Sequence, residues 1–240
     1  MQDGDRLEVD ALRQSAMNIV ELFYSVQGEG RLAGVPSVFI RLAGCPLRCS
    51  WCDTRYAWDP AAGTEMKVTD ILQHLSQWPA RHAVLTGGEP LVSGHPAELV
   101  ELTGSLKARG THVTVETAGL AVVPDLVCDL MSISPKLEHA GPGGSLSMES
   151  QWGRAVRRLV DRYDHQLKFV VSSPSDAERI REILGWLTGI DPMKVLLMQQ
   201  ALTREDWLER SPMVAQMCLD NGWTFGNRLQ ILLWQAQRGR

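Results

Sequence analysis

The chain has 240 residues, 44% of them apolar, and a formal net charge of −4 at pH 7. It has no basic run and no apolar stretch near the roughly 18 residues of a membrane span, so neither nucleic acid nor a membrane is an expected partner. Without the basic-then-apolar pattern of a secretion signal, we expect a cytoplasmic protein. The length suits one α/β domain, which we place at residues 18–240 behind a polar tail over 1–17.

The apolar patterning predicts strands alternating with helices. The predicted strands cover residues 18–24, 37–43, 82–85, 111–116, 126–134, 166–171 and 194–198, with a last extended piece over 224–234. The predicted helices cover residues 68–78, 96–110, 149–163, 175–188 and 203–221, and a Gly-rich loop covers 140–144. Ser175 with Glu178, and Thr203 with Asp206, have the spacing of helix starts, the first pair as a capping box.

About six strands alternating with helices indicate right-handed βαβ units and a parallel sheet. Such sheets carry their working loops at the carboxyl ends of the strands, whether the sheet is open or curled into a barrel. Cys45, Thr86, Glu116 and Ser134 all lie at or just past predicted strand ends. We therefore expect them to face one common site.

Three of the five cysteines lie in one loop, at Cys45, Cys49 and Cys52. Thiolates select zinc, copper(I) or iron–sulfur clusters. Structural zinc sites and dedicated electron-transfer clusters commonly use four protein ligands, so three suggest a cluster with one open coordination position. The alternative is a zinc site completed by a histidine or by Cys128 or Cys218, although thiols in apolar surroundings are usually buried and inert.

Two further strand-end loops carry groups that can bind a ligand. Residues 86–90 read Thr-Gly-Gly-Glu-Pro, where the glycines allow close backbone approach and Glu89 can accept from a ligand ammonium. A plain turn is the alternative. Glu116 and Lys136 follow the next two strands, where a local cap and a solvated lysine are the corresponding alternatives.

The Cys-x3-Cys-x2-Cys spacing, with Trp51 before the third cysteine, resembles the radical S-adenosylmethionine (SAM) superfamily. The resemblance implies an abbreviated (β/α)6 partial TIM barrel and a [4Fe–4S] cluster on the three cysteines. Its free iron chelates SAM, and one electron then releases a 5′-deoxyadenosyl radical, so no protein residue is assigned as catalytic. The implied SAM-binding residues are Trp51, Cys52, Asp53, Gly87, Gly88, Glu89, Glu116, Ser134, Pro135 and Lys136.

The block over residues 23–54, with Gln-Gly-Glu-Gly at 27–30 and Cys-Asp-Thr at 52–54, resembles the 7-carboxy-7-deazaguanine synthases. These lyases convert 6-carboxy-5,6,7,8-tetrahydropterin to 7-carboxy-7-deazaguanine and ammonia, on the way to queuosine and other 7-deazapurines. The resemblance implies Mg2+ held by Thr54, a homodimer, and an external electron donor of flavodoxin or ferredoxin type. The implied substrate-binding residues are Val26, Gln27, Gly28, Glu29, Arg41, Thr86 and Gln230.

The chemistry of these side chains suits a carboxylated pterin. Glu29 can accept two adjacent N–H donors of a guanidine-like edge. Arg41 offers a fork for the substrate carboxylate, although a buried ion pair is the alternative for a charge in an apolar strand. Gln230 stands where the family often has a substrate-contacting histidine; glutamine can hydrogen-bond but cannot change its charge.

Two other functional hypotheses remain open on the sequence alone. One is a different radical SAM enzyme, such as a glycyl-radical activating enzyme, for which the 27–30 block would be incidental. The other is a non-enzymatic metal–thiolate module.

Overall fold

The computed structural model describes residues 16–138, 147–235 and 237–240. The strands are β1 Met17–Val26, β2 Pro36–Leu42, β3 Thr64–Met66, β4 His82–Gly87, β5 His112–Thr117, β6 Leu130–Ile133, β7 His165–Val171, β8 Val195–Gln199 and β9 Thr224–Phe225. The helices are α1 Val68–Leu75, α2 Pro90–Ser93, α3 Pro96–Ala108, α4 Gln151–Arg162, α5 Asp176–Leu187, α6 Arg204–Asn221 and α7 Leu229–Trp234. The strands of these ranges form one sheet in the order β3-β1-β2-β4-β5-β6-β7-β8-β9.

The sheet is parallel from β2 to β9, and β1 is antiparallel to both β2 and β3. The predicted α/β class and abbreviated partial barrel are therefore confirmed. The link from β5 to β6, residues 118–129, is irregular and contains no helix. Because successive parallel strands run in one direction, their carboxyl ends lie at one edge, and the functional loops gather there.

The helices bury apolar stripes against the sheet. Helix α1 buries Val68, Ile71, Leu72 and Leu75 at three- and four-residue spacing, as an amphipathic helix should. Every residue of β7 and of β8 is buried, as expected for strands of a parallel sheet that is covered on both faces. In the described ranges, no helix is long and apolar enough to cross a membrane.

Several element predictions need correction. Ser175 is already helical in its backbone and its side chain makes no cap bond; instead, Asp176 Oδ2 accepts from the backbone N–H groups of Ser172 and Ser173 at 2.7 and 3.1 Å. The extended piece predicted over 224–234 is only the two-residue β9 followed by α7. The strand predicted over 126–134 is four residues long.

Other predictions hold, shift by one residue or fall outside the described residues. The hydroxyl of Thr203 accepts from the backbone of Asp206 at 3.1 Å, as its spacing predicts. Met17, placed in the tail by the sequence, already pairs in β1 with Met66. Residues 1–15 and the Gly-rich loop at 140–144 lie outside the described residues.

A polar cluster is buried at the opposite, amino-terminal edge of the parallel strands. His82 is 3% exposed, and its ring nitrogens contact the hydroxyls of Ser37 at 2.6 Å and Thr114 at 2.8 Å. The ring of His112 stands edge-on to His82 with centroids 4.9 Å apart. Burial, helped by His112, lowers the pKa of His82 to about 4, so the ring is neutral at pH 7.

Candidate active site

A cleft of about 1340 Å3, including its open mouth, lies over the carboxyl ends of the parallel strands. Of the predicted site residues, only Pro135 is absent from its lining; Pro135 is buried instead. The other SAM, metal and substrate residues predicted from the sequence all border this one cleft. The common site expected from four strand ends is therefore present in the structure.

The three clustered cysteines are unpaired thiols that border one end of the cleft. Burial raises the pKa of the Cys45 thiol to about 11 and also raises that of Cys49. Within the described ranges, no group of three or more His, Cys, Asp or Glu side chains is arranged to hold a single metal ion. A cubane cluster binds each thiolate through a different iron, so three thiols that border one end of the cleft fit it.

The Gly-Gly-Glu loop is bonded directly to the cysteine loop. The backbone N–H groups of Gly88 and Glu89 donate to the carbonyls of Leu42 at 3.0 Å and Gly44 at 2.8 Å. A β-carbon on Gly88 would lie 2.0 Å from the Gly44 carbonyl oxygen. Only glycine fits there, because the clashing atom is backbone and cannot rotate away.

Glu89 is 1% exposed, and most acceptor positions of its carboxylate are used in hydrogen bonds within the protein. Its carboxylate accepts from the Thr117 hydroxyl at 2.5 Å, the Ala118 N–H at 2.6 Å and the Leu91 N–H at 3.3 Å. Burial raises its pKa. Since a carboxylate has about four acceptor positions, these three bonds leave one on Oε2, and Glu89 borders the cleft.

Trp51 and Lys136 face each other beside the cysteines. The Lys136 ammonium lies 5.2 Å from the centre of the Trp51 ring and donates to the Ser134 hydroxyl at 2.8 Å, so Lys136 is not a freely solvated surface lysine. The indole N–H of Trp51 is buried without a hydrogen-bond partner among the described residues. A buried donor without a partner is costly, and it suits a polar ligand entering this end of the cleft.

The two residues after the third cysteine have different surroundings. Asp53 Oδ2 accepts from the Arg228 guanidinium at 2.8 Å. Thr54 precedes a short 3-10 helix, Arg55–Ala57, but its hydroxyl makes no cap bond. That hydroxyl lies 3.6 Å from the Cys52 sulfur, so it borders the cleft and leaves oxygen lone pairs for a cation.

At the other end of the cleft, a chain of charges surrounds Glu29. Its Oε2 contacts the Lys168 ammonium at 2.8 Å, and its Oε1 contacts Arg228 at 3.3 Å and the Gln230 amide at 2.9 Å. Burial alone would raise the pKa of Glu29, but the charges of Lys168 and Arg228 outweigh it and bring the pKa to about 2. Glu29 is therefore a carboxylate at neutral pH.

Glu116 belongs to the same group of side chains. Its Oε1 accepts from Lys168 at 3.2 Å and Gln27 at 3.3 Å, and its Oε2 accepts from the Thr86 hydroxyl at 2.9 Å. The sequence assigns Gln27 and Thr86 to the substrate and Glu116 to SAM. In the structure Glu116 lies with the substrate group.

Arg41 makes the ion pair that the sequence left open as an alternative. Its Nε donates to Glu21 Oε1 at 2.6 Å, and Tyr56 donates to the same oxygen at 2.7 Å. Arg238, near the carboxyl end of the chain, reaches Glu21 Oε2 at 3.3 Å. The Arg41 guanidinium lies over the Phe23 ring, 5.7 Å from its centre. Its terminal nitrogens have no hydrogen-bond partner in the described ranges, and the side chain borders the cleft. The ion pair orients Arg41 and leaves its fork open.

Comparison with known proteins agrees with this geometry. The family model described as the Radical SAM superfamily matches residues 39–137. A 7-carboxy-7-deazaguanine synthase of Halobacterium salinarum is 40% identical over 91% of both chains, and that of Escherichia coli is 30% identical over 85% of this chain and 92% of its own. The chain belongs to the 7-carboxy-7-deazaguanine synthase family. A crystal structure of QueE from Escherichia coli, 26% identical, matches 94% of this chain and 98% of its own with a TM-score of 0.67.

Membership in the 7-carboxy-7-deazaguanine synthases decides among the hypotheses left open by the sequence. The cofactors are the [4Fe–4S] cluster and SAM of the superfamily, with Mg2+ as fits the synthases. The relatives are 7-carboxy-7-deazaguanine synthases, and the match covers nearly their whole length. A glycyl-radical activating enzyme and a non-enzymatic metal–thiolate module are therefore both set aside.

Sequence reasoning missed two cleft residues of this synthase, Lys168 and Arg228. Both are nearly buried, at 3% and 2% exposure, and each bridges two carboxylates. A signal for Lys168 was available, because a charge inside the apolar run of β7 is as unexpected as Arg41 in β2. Arg228 lies outside any strand or helix and gives no comparable signal.

Proposed function

We propose that this chain converts 6-carboxy-5,6,7,8-tetrahydropterin to 7-carboxy-7-deazaguanine and ammonia. The observation that carries the proposal is the division of one cleft into two ends. Three free thiols border one end, and the carboxylates of Glu29 and Glu116 with the open fork of Arg41 border the other. A ligand bound between the two ends can therefore contact a metal cluster on one side and a carboxylated heterocycle on the other.

At the thiol end, Cys45, Cys49 and Cys52 hold the [4Fe–4S] cluster in this proposal. The unpartnered indole N–H of Trp51 and the Lys136 ammonium lie beside them, which suits the polar groups of SAM. The open acceptor position of Glu89 suits the methionyl ammonium. When bound, the reduced cluster and SAM supply a radical that removes a hydrogen atom from the substrate and later returns it.

Between the two ends, Thr54 is the proposed Mg2+ ligand. Its hydroxyl is not used in a helix cap. Because Mg2+ prefers six oxygen ligands and keeps several waters, one hydroxyl leaves positions for the substrate carboxylate. Asp53 is held by Arg228 and so acts on this site through the loop it anchors.

At the substrate end, the side chains bind the pterin and fix its orientation. Glu29 stays ionised at neutral pH. Lys168, Arg228 and Gln230 occupy three of its roughly four acceptor positions, which leaves one for an N–H group of the guanidine-like edge. The fork of Arg41 pairs with the substrate carboxylate. The Gln230 amide donates to Glu29 while its oxygen is buried without a partner among the described residues, which suits a further ring N–H. Buried walls exclude water from a radical reaction.

We also infer that a small electron-transfer protein of flavodoxin or ferredoxin type reduces the cluster, and that the chain forms a homodimer. Both follow from the family resemblance. Size-exclusion chromatography with light scattering tests the second point, and a monomer in the active preparation would contradict it.

Product formation tests the proposed function. Anaerobically reconstituted protein is incubated with SAM, a reductant, Mg2+ and the carboxypterin, and the products are identified by mass spectrometry. We expect 7-carboxy-7-deazaguanine, and none from Glu29→Ala with an unchanged cluster spectrum. SAM cleavage without any deazaguanine from the wild type would refute the proposal.

A further inference from the structure

Lys168 lies at the floor of the cleft, on β7. It is 3% exposed, and it borders the cleft together with Val170, the next residue on the same strand face. Gln166 lies on the same strand face. Its side-chain amide donates to the Ser132 hydroxyl and accepts from the backbone N–H of Arg31. Lys168 is thus the residue of this strand face that places a charge at the cleft.

The Lys168 ammonium contacts two carboxylates from separate parts of the fold. Glu29 follows β1 and lies 2.8 Å away, and Glu116 ends β5 and lies 3.2 Å away. The other charged groups around this triad are Arg228, which touches Glu29, and Asp53, which touches Arg228. Burial lowers the pKa of Lys168, but the charges of Glu116 and Glu29 outweigh it and hold the pKa above its usual range.

Removing the shared cation leaves two carboxylates close together with little solvent. Like charges in such a site disfavour each other's ionised form, so the pair holds a shared proton more readily than it does beside Lys168. A protonated carboxyl becomes a donor and loses acceptor capacity. It can then no longer receive an N–H from a ligand.

We propose that Lys168 is a positioning residue that holds Glu29 and Glu116 as a pair of acceptors for adjacent N–H donors on a guanidine-like ligand edge. The inference rests on the proposed function for the identity of the ligand. It assigns Lys168 no bond to the reacting atoms. Its effect on the ligand passes through the two carboxylates.

The test measures binding separately from turnover. The probe is 6-carboxypterin, an aromatic relative of the proposed substrate with the same guanidine-like edge, and its dissociation constant is followed by fluorescence from pH 6 to pH 9. The proteins are reconstituted wild type, Lys168→Met, Lys168→Arg and the control Lys194→Met, whose lysine pairs with Asp164 at the surface. Iron content and 5′-deoxyadenosine formed without substrate report on the thiol end.

We expect Lys168→Met to weaken probe binding by about ten-fold or more at pH 6.5, since hydrogen bonds to charged groups are the strong ones. Relative to the wild type, its affinity should recover as the pH rises and the shared proton is lost, while Lys168→Arg and Lys194→Met should follow the wild type at every pH. Iron content and 5′-deoxyadenosine formation should be unchanged in all four.

Three outcomes would overturn the proposal. A Lys168→Met profile parallel to that of the wild type, or joint loss of iron and probe binding in both Lys168 variants, would mean a purely structural role. The third is a wild type that does not bind the probe. Probe binding without deazaguanine formation would instead refute the proposed reaction and leave the role of Lys168 standing.

Discussion

Arg228 donates to Asp53 at 2.8 Å and thereby ties the carboxyl-terminal part of the chain to the loop that carries the three cysteines. The same guanidinium contacts Glu29 at 3.3 Å and the carbonyl of Ala201 at 2.6 Å. One buried side chain therefore joins the two ends of the cleft.

Replacing Arg228 should be costly for stability. In Arg228→Met, Asp53 and Glu29 lose a nearly buried cation, so we expect the free energy of unfolding to fall by roughly 3 kcal/mol. Denaturant titration of the metal-free protein measures it. The control is Arg31→Met, which removes an exposed pair with Asp164 and should cost about 1 kcal/mol or less. Equal losses in the two variants would contradict the expectation.

Gly88→Ala should disrupt the thiol end of the cleft. The added β-carbon would meet the Gly44 carbonyl at 2.0 Å, so the loop before Cys45 must move. We expect iron content after reconstitution to fall by more than half, measured by colorimetric iron analysis. Gly104→Ala is the matched control, since nothing lies within 4 Å of its β-carbon and alanine favours a helix by about 1 kcal/mol. Normal iron in both variants would mean that the loop absorbs the clash.

The cysteines should separate into two classes. Cys49→Ala removes a thiol that borders the cleft, and we expect loss of the iron–sulfur absorbance near neutral pH. Cys128→Ala removes a thiol outside the cleft lining, whose pKa burial raises to about 12, and the absorbance should be retained. Loss of the absorbance in Cys128→Ala as well would contradict this division.

Mild acid should destabilise the fold through His82. Its folded pKa, about 4, lies below the ordinary value of 6.5, so the unfolded chain binds the proton first as the pH falls. Stability is therefore lost between pH 6.5 and 4, by at most about 1.4 kcal/mol per pH unit. Glu29, with a pKa of about 2, contributes only below pH 4.5.

Unfolding of metal-free wild type and His82→Gln at several pH values tests this effect. The variant should show a shallower dependence between pH 6.5 and 4, and the exposed His74→Gln should follow the wild type. Parallel curves for all three proteins would show that His82 does not titrate in this range.

Local patterns in the sequence predicted what depends on neighbours along the chain. Helix α1 follows from the spacing of Ile71, Leu72 and Leu75, and the start of α6 follows from the Thr203 hydroxyl. The prediction of an extended piece over 224–234 was wrong because Ile231, Leu232 and Leu233 form a short apolar run, which suits a strand or a helix equally.

Contacts between distant residues could not be read in the same way. The cleft position of Glu29 was predictable from its motif, but its cation partners are 139 and 199 residues away along the chain. Glu21 likewise gave no sign that it orients Arg41, because β1 was only an extended piece until its register with β2 was known. Pairing register, which local patterns do not contain, supplied these partners.

The two ends of the cleft differ in how far apart along the chain their contacting residues lie, and this difference sets an order in which the ends form. The thiol end is closed by bonds such as Glu89 to Thr117, 28 residues apart, and Glu89 to Ala118, 29 apart. The substrate end is completed only when Gln230, 201 residues beyond Glu29, bonds to that carboxylate. Because distant pairings form late and domains grow from the amino terminus during synthesis, the bonds that join the Gly-Gly-Glu loop to the cysteine loop can form while the ribosome is still adding the residues that close the substrate end.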